Sequence, residues 1–226
     1  MSIKFDLPIF PLSGTILFPE TNLPLNIFEK RYLKMVDFVL STNKKLGMIQ
    51  PNDNDELYRI GCIGKIISYE ETTDGRYLIN ILGEQYFKVL NEKKTKNLFR
   101  TVEAEEFLPD KSEKKIKIND QTKYSLIQKY VQFVKSSKYE VDFAFLEKIE
   151  PLALIKFIAM AAPFGSAEKQ MLLETYHSDI LETLPETYLE IFALLLHFLS
   201  PWLEPRTFEY IDQGHQSFQQ IAALLV

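Results

Sequence analysis

Short apolar runs and alternation fill the first hundred residues, whereas three-and-four spacing dominates the later part, so the chain reads as a β-rich unit followed by a helical one. Cys62 to Glu71 and Arg76 to Leu82 flank Thr72-Thr73-Asp74-Gly75, where Asp-Gly supplies the positive φ of a tight hairpin turn or its bulge. Further strands are predicted at Ile9 to Leu12, Leu23 to Ile27, Leu46 to Ile49, Tyr86 to Leu90 and Arg100 to Phe107. In the last, Val102 and Ala104 alternate with Thr101, Glu103 and Glu105, the mark of a strand with one wet face. Gly61, Gly64 and Gly83 lie in or beside these strands and supply the corners that a small, strongly bent barrel needs.

One helix interrupts the β-rich half. Asn26 is placed to cap it, Glu29 to reach back, and Phe28, Tyr32, Met35, Val36, Val39 and Leu40 to form one apolar stripe. Glu29, Lys30, Lys34 and Asp37 occupy its other face. Later helices are predicted around Tyr124 to Lys135, Leu152 to Ala162, Ala167 to Tyr176 and Glu186 to Leu199, with Pro151 in a first turn, Ser166 as a cap and Pro185 as a starter. The charged stretch Pro109 to Asp120 reads as the linker between the units. Leu189 to Leu199 is apolar nearly all round and therefore buried, either in this chain's bundle or against a second copy. Phe218, Ile221, Ala222 and Leu225 repeat helical spacing, suited to docking on the core or on a partner.

The 226 residues suffice for one large domain or two small ones, and 46% hydrophobic with 25% charged residues is a globular composition. Residues 1–118 carry 18 basic and 17 acidic side chains and residues 119–226 carry 8 and 14, so the halves are +1 and −6 and the whole is −5. That balance argues against a polyanion held by bulk electrostatics. A single cysteine excludes an internal disulfide and fits a reducing compartment. Neither a signal sequence nor a bilayer-length apolar run is present, so a soluble, cytoplasmic protein is expected.

The chemistry is sparse. His177, His197 and His215 have no metal-binding spacing, so no metal or other cofactor is implied. Cys62, between Gly61 and Ile63, reads as a small buried strand residue. Gly64-Lys65 is followed by Ile66 in a strand, not by the Ser or Thr that opens the helix of a phosphate loop. There is no Gly-x-Ser-x-Gly elbow, and the neighbours Glu70-Glu71 and Glu105-Glu106 point to opposite strand faces. The lysines at 93, 94 and 96, and at 111, 114, 115 and 117, read as solvated loops.

Leu7-Pro8-Ile9-Phe10-Pro11-Leu12, Leu17-Phe18-Pro19 and Leu23-Pro24-Leu25-Asn26-Ile27-Phe28-Glu29-Lys30-Arg31-Tyr32 follow one another in order, with Met35-Val36. Gly61-Cys62-Ile63-Gly64, Asp74-Gly75-Arg76-Tyr77 and Gly83-Glu84-Gln85-Tyr86-Phe87-Lys88-Val89 continue the series. This series resembles the N-terminal, substrate-binding domain of Lon protease, which also occurs as small stand-alone bacterial proteins. The later Ala162-Pro163-Phe164 and Glu168 to Glu174 are similar more diffusely. Glu20 stands where that family commonly has Gly, and Tyr86 where an Arg often precedes the Phe-basic-Val strand.

The resemblance implies an α+β fold: a PUA-like β pseudo-barrel with one inserted helix over residues 1–110, then an α-helical bundle over 119–226. It implies a non-catalytic module that recognises exposed apolar or unfolded segments of protein clients, since the chain has no room for ATPase and peptidase modules. Client identity, cooperation with a separate protease or chaperone, and oligomeric state stay open. Phe28, Arg31, Tyr32, Arg76 and Tyr86 are the expected peptide contacts. Phe10, Phe18, Leu23, Leu25 and Phe28 are most simply core, and Arg31 is suited either to pairing with a carboxylate or to binding a client's carbonyls. Arg76 is a surface charge suited to pairing. Prolines 8, 11, 19 and 24 are expected to hold extended segments and protect edges. An RNA-binding PUA-like module is the rival, disfavoured by charge and by the lack of basic-aromatic interleaving; a small-molecule hydrolase lacks a nucleophile and base.

Overall fold

The computed structural model describes residues 3–52, 54–107, 120–135, 143–161 and 164–175. Six strands and one helix come first: β1 Lys4–Pro11, β2 Asn22–Ile27, α1 Lys30–Leu40, β3 Lys45–Ile49, β4 Ile60–Glu71, β5 Tyr77–Lys93 and β6 Thr101–Phe107. Four helices follow: α2 Asp120–Lys135, α3 Phe143–Lys148, α4 Pro151–Ala161 and α5 Ser166–Thr175. The sheet order is β2-β5-β4-β3-β1-β6, and β6 returns to pair with β5, so five of the strands close a ring. All neighbours are antiparallel except β1 and β3.

Closure depends on β5. The strands expected at Arg76 to Leu82 and Tyr86 to Leu90 are one continuous strand, whose first part pairs with β2 and whose last part pairs with β6. Gly83 lies between the two parts. A Cβ there would collide with the carbonyl oxygen of Phe18, and the Gly83 amide donates to Thr21 O at 2.9 Å while its carbonyl accepts from Glu20 N at 2.8 Å. The connection before β2 is thereby laced to the bend in β5. The β4–β5 hairpin turns where its Asp-Gly requires, with Gly75 at φ 79 and Thr72 N donating to Arg76 O at 2.8 Å.

Pleating separates two cores. Leu7, Ile9, Ile49, Ile63, Phe87, Val102 and Ala104, drawn from all five ring strands, form the smaller one. On the opposite strand faces, Phe10, Leu23, Leu25, Ile79 and Ile81 join a larger core with Phe18 of the connection before β2, with Tyr32, Met35, Val36 and Val39 of α1, and with side chains of α2 to α5. Burying one such side chain contributes about 1.5–3 kcal/mol.

Several expectations change. Asn26 pairs in β2 with Leu78, so a sheet register takes the residue expected to cap α1; Glu29 holds the cap position without a side-chain cap bond. Phe28, expected in the core, is 53% exposed. Ser166 does not cap α5: the first helical bond runs from Lys169 N to Gly165 O, and the Ser166 hydroxyl meets Ser13 Oγ at 2.6 Å and accepts from Gly14 N. Pro8 and Pro11 lie in β1, inside the ring and not at an edge; Pro8 falls where β1 passes from pairing with β6 to pairing with β3. The linker at 109–119, the helix at Glu186 to Leu199, the C-terminal apolar repeat and all three histidines lie outside the described residues.

Candidate functional site

The expected contact residues are best judged around the start of α1. β2 ends at Ile27 and α1 begins at Lys30, so Phe28 sits in a two-residue corner that cannot turn it into either core. Its ring stays in solvent, costing hydrophobic free energy that a partner could recover. Arg31 follows on the first helical turn. Its Nε donates to Glu29 Oε2 at 2.9 Å and its Cζ lies 4.5 Å from the centre of the Tyr32 ring. Both alternatives read for Arg31 are therefore compatible: the guanidinium has a carboxylate, and more than half of the side chain remains accessible.

Tyr32 supports this surface from beneath. It is buried, its ring centroid is 4.2 Å from that of Phe10, and its hydroxyl donates to Pro11 O at 3.4 Å. Burial pushes its phenol above the usual range, opposed by the adjacent Arg31, so it is a neutral donor. A charge pair not anticipated from sequence lies within its electrostatic reach: Arg100 and Asp55. Arg100 binds both oxygens of Glu92, each at 2.7 Å, and also reaches Asp55 O at 3.4 Å. Glu92 is held below the usual carboxylate range chiefly by that fork. Glu92 and Arg100 meet across the β5–β6 hairpin, whereas Asp55 comes from the connection between β3 and β4, and the three carry no motif.

The structure does not bring Tyr86 into this surface. Arg76 precedes Tyr77, whose register partner is Ile27, so it stands at the same end of the sheet as Phe28; its Nη2 lies 2.6 Å from Asp74 Oδ2, and this pairing with help from Thr72 holds Asp74 at about 2. Tyr86 is 3% exposed and belongs to the larger core. It occupies β5 opposite Cys62, so a surface contact by Tyr86 is excluded by pleat and pairing. Cys62 is wholly buried, and burial pushes its thiol far up, which keeps it protonated and unreactive.

Among the described residues no cluster of three or more His, Cys, Asp or Glu is placed to hold a metal ion, and no described helix is long and apolar enough to cross a membrane. Two buried lysines join the helices to other elements. Lys156 of α4 donates to Pro19 O at 2.8 Å and lies 3.8 Å from Glu20, while Lys169 of α5 donates to Met160 O at 2.8 Å. Burial lowers both, Lys169 to about 8.

The fold is similar to that of solved Lon N-terminal domains. A Lon N-terminal domain protein from Xanthomonas campestris superposes with a TM-score of 0.54 at 20% identity, covering 75% of this chain and 90% of that one. The N-terminal domain of a Mycobacterium avium complex Lon protease gives 0.54 at 17% identity, covering 87% and 98%. The family model described as the ATP-dependent protease La (LON) substrate-binding domain matches residues 6–180, and the chain belongs to that family. Among curated relatives, Lon protease of Dictyoglomus thermophilum is 28% identical over 186 residues, and that of Buchnera aphidicola 25% identical over 182 residues. These alignments cover 79% and 77% of this chain but 23% of each relative, so the chain spans about a quarter of the length of those proteases.

Proposed function

We infer that the chain is a non-catalytic, ATP-independent recognition module that binds protein clients through exposed apolar or unfolded segments. In this reading residues 1–110 form a PUA-like barrel and residues 119–226 a helical bundle, together acting in the cytoplasm and handing clients to a protease or chaperone. The observation that carries it is Phe28: an aromatic side chain left exposed beside a half-free guanidinium, on a rigid corner, in a substrate-binding family. Apolar contact with Phe28 and hydrogen bonds from Arg31 to backbone carbonyls suit segments that lack fixed side-chain sequence but have unpaired backbone. Tyr32 is the support beneath them. Tyr86 is left out because it is core, whereas Arg76, paired with Asp74 as Arg31 is with Glu29, is a flanking contact.

The test is titration of the labelled protein with a permanently unfolded client, such as reduced and carboxymethylated α-lactalbumin, beside the folded form of the same client. Saturable binding of the unfolded form alone supports the reading. Absence of binding to it and to an array of apolar peptides overturns it.

A further inference from the structure

The far half of β4 is a second feature that faces solvent without a partner. β3 pairs with β4 only as far as Lys65, and the last bond on that side runs from Ile66 N to Lys44 O at 2.8 Å. A register shift then sets Ile67 outside the ladder, 49% exposed. From Ile67 to Glu71 every residue is exposed, and among the described residues no strand pairs with this stretch on the side away from β5.

The hydrogen-bond phase of that edge follows from the turn. Thr72 N donates to Arg76 O, so Thr72 and Arg76 are a bonded pair. Alternation along an antiparallel ladder then directs the backbone of Glu70 and Ser68 towards β5, and the N–H and C=O of Tyr69 and Glu71 outwards. The two outward residues share one face, two positions apart. Tyr69 is 55% exposed and meets Tyr77 edge-on at 6.4 Å, and Glu71 and Glu70 have no ion-pair partner among the described residues. Arg76, the cation at the turn of this hairpin, is paired with Asp74, and the Tyr77 hydroxyl donates to Asp37 at 3.1 Å, which leaves the rim at Tyr69 to Glu71 aromatic and negative.

We propose that an extended client segment adds to the β4 edge as a further strand, bonding to the backbone of Tyr69 and Glu71, with a basic residue opposite Glu71 and an apolar residue opposite Tyr69. The assignment rests on the client-binding reading above and specifies a client sequence class for it: basic-x-apolar when antiparallel. A second copy of this chain is the poorer occupant, because pairing two β4 edges antiparallel about Glu70 would set Glu70 directly against Glu70 on one face and leave the two Glu71 as diagonal neighbours on the other, with no cation to offset either pair.

The probes are a capped, fluorescent pentapeptide Thr-Lys-Val-Phe-Thr, its Lys-to-Glu counterpart, and a form N-methylated at the strand-pairing amides, titrated against the full chain and its Glu71→Lys variant. Wild type should prefer the Lys peptide about tenfold, and Glu71→Lys should reverse the preference, because one exposed attraction is exchanged for a repulsion. The gain for the Glu peptide is a positive result that a misfolded variant cannot give. N-methylation should abolish binding, and hydrogen exchange should slow at the amides of Tyr69 and Glu71. Binding of unfolded α-lactalbumin without peptide preference, or with protection elsewhere, overturns the strand addition and leaves the client-binding reading standing; binding of neither overturns both.

Discussion

The side-chain amides of Gln50 and Gln170, 120 positions apart, meet at 3.2 Å, Gln50 Nε2 donating to Gln170 Oε1. Gln50 follows β3 and Gln170 lies on α5, and both are almost fully buried. Gln50 also donates to Ser166 O and accepts from Gly14 N, while Gln170 donates to Ile60 O, so each amide joins strand-side backbone to a helix. A buried network of this kind is costly when partly dismantled, because its remaining polar atoms lose both water and partner.

Gln50→Leu keeps volume but orphans Gln170 Oε1 and removes the second bond to the Ser166 carbonyl. Stability should fall by about 2–3 kcal/mol, read from the urea midpoint, with hydrogen exchange faster in α5 than in the ring strands.

Lys169 imposes a pH dependence of unusual sign. Its folded value is lowered from 10.5 to about 8 by burial, so between those values the unfolded chain binds more protons than the native one and stability rises with pH. Below about 8 both states are protonated and the destabilisation is constant. Wild type should gain roughly 2–3 kcal/mol between pH 8 and 10.5 relative to Lys169→Met, whose urea midpoints should lack this increment.

The connection before β2 sets two opposite outcomes. Glu20 has φ 66, a left-handed conformation in which a β-carbon costs about 1 kcal/mol, and its carboxylate is 88% exposed at 3.8 Å from Lys156, so the ion pair offsets little of that cost. Glu20→Gly should raise the melting temperature slightly. Gly83→Ala should lower stability by about 3 kcal/mol or more, since its Cβ meets the rigid Phe18 carbonyl. Thermal unfolding of the two variants checks both.

Phe28→Ala should weaken binding of the unfolded client roughly tenfold, and Arg31→Ala severalfold, while each changes stability by less than about 0.5 kcal/mol because the side chains are exposed. Anisotropy titration beside urea denaturation separates the two effects.

The parts of this fold legible along the chain are those with a short-range cause. Gly75 had to follow Asp74 in a turn that needs positive φ, and the stripe Tyr32, Met35, Val36 and Val39 had to face one way because a helix repeats every 3.6 residues. The ordered Leu-Pro and Phe-Pro segments carried the family resemblance, as did the Gly-Glu segment, although Gly83 answers a distant demand, the close approach of the Phe18 carbonyl. Asn26 shows the limit: its side chain suits a cap, but pairing with Leu78 on β5 takes its backbone into a strand. Tyr86 reads as a surface residue only until the pleat of β5 and its pairing with Cys62 are known.

Sequence by itself therefore determined most of the described elements, though not α3, together with the hairpin, the buried helix face and the family to which the chain is similar. Tertiary structure alone decided that β5 is one bent strand closing a ring, that Arg100 joins Glu92 and Asp55, that Gln50 meets Gln170, and that Phe28 and the edge at Tyr69 and Glu71 are left to solvent. The reason is the range of the forces: turns, caps and periodicity compare a residue with its near neighbours, whereas pairing partners and exposure depend on which distant segments win the competition to cover each face.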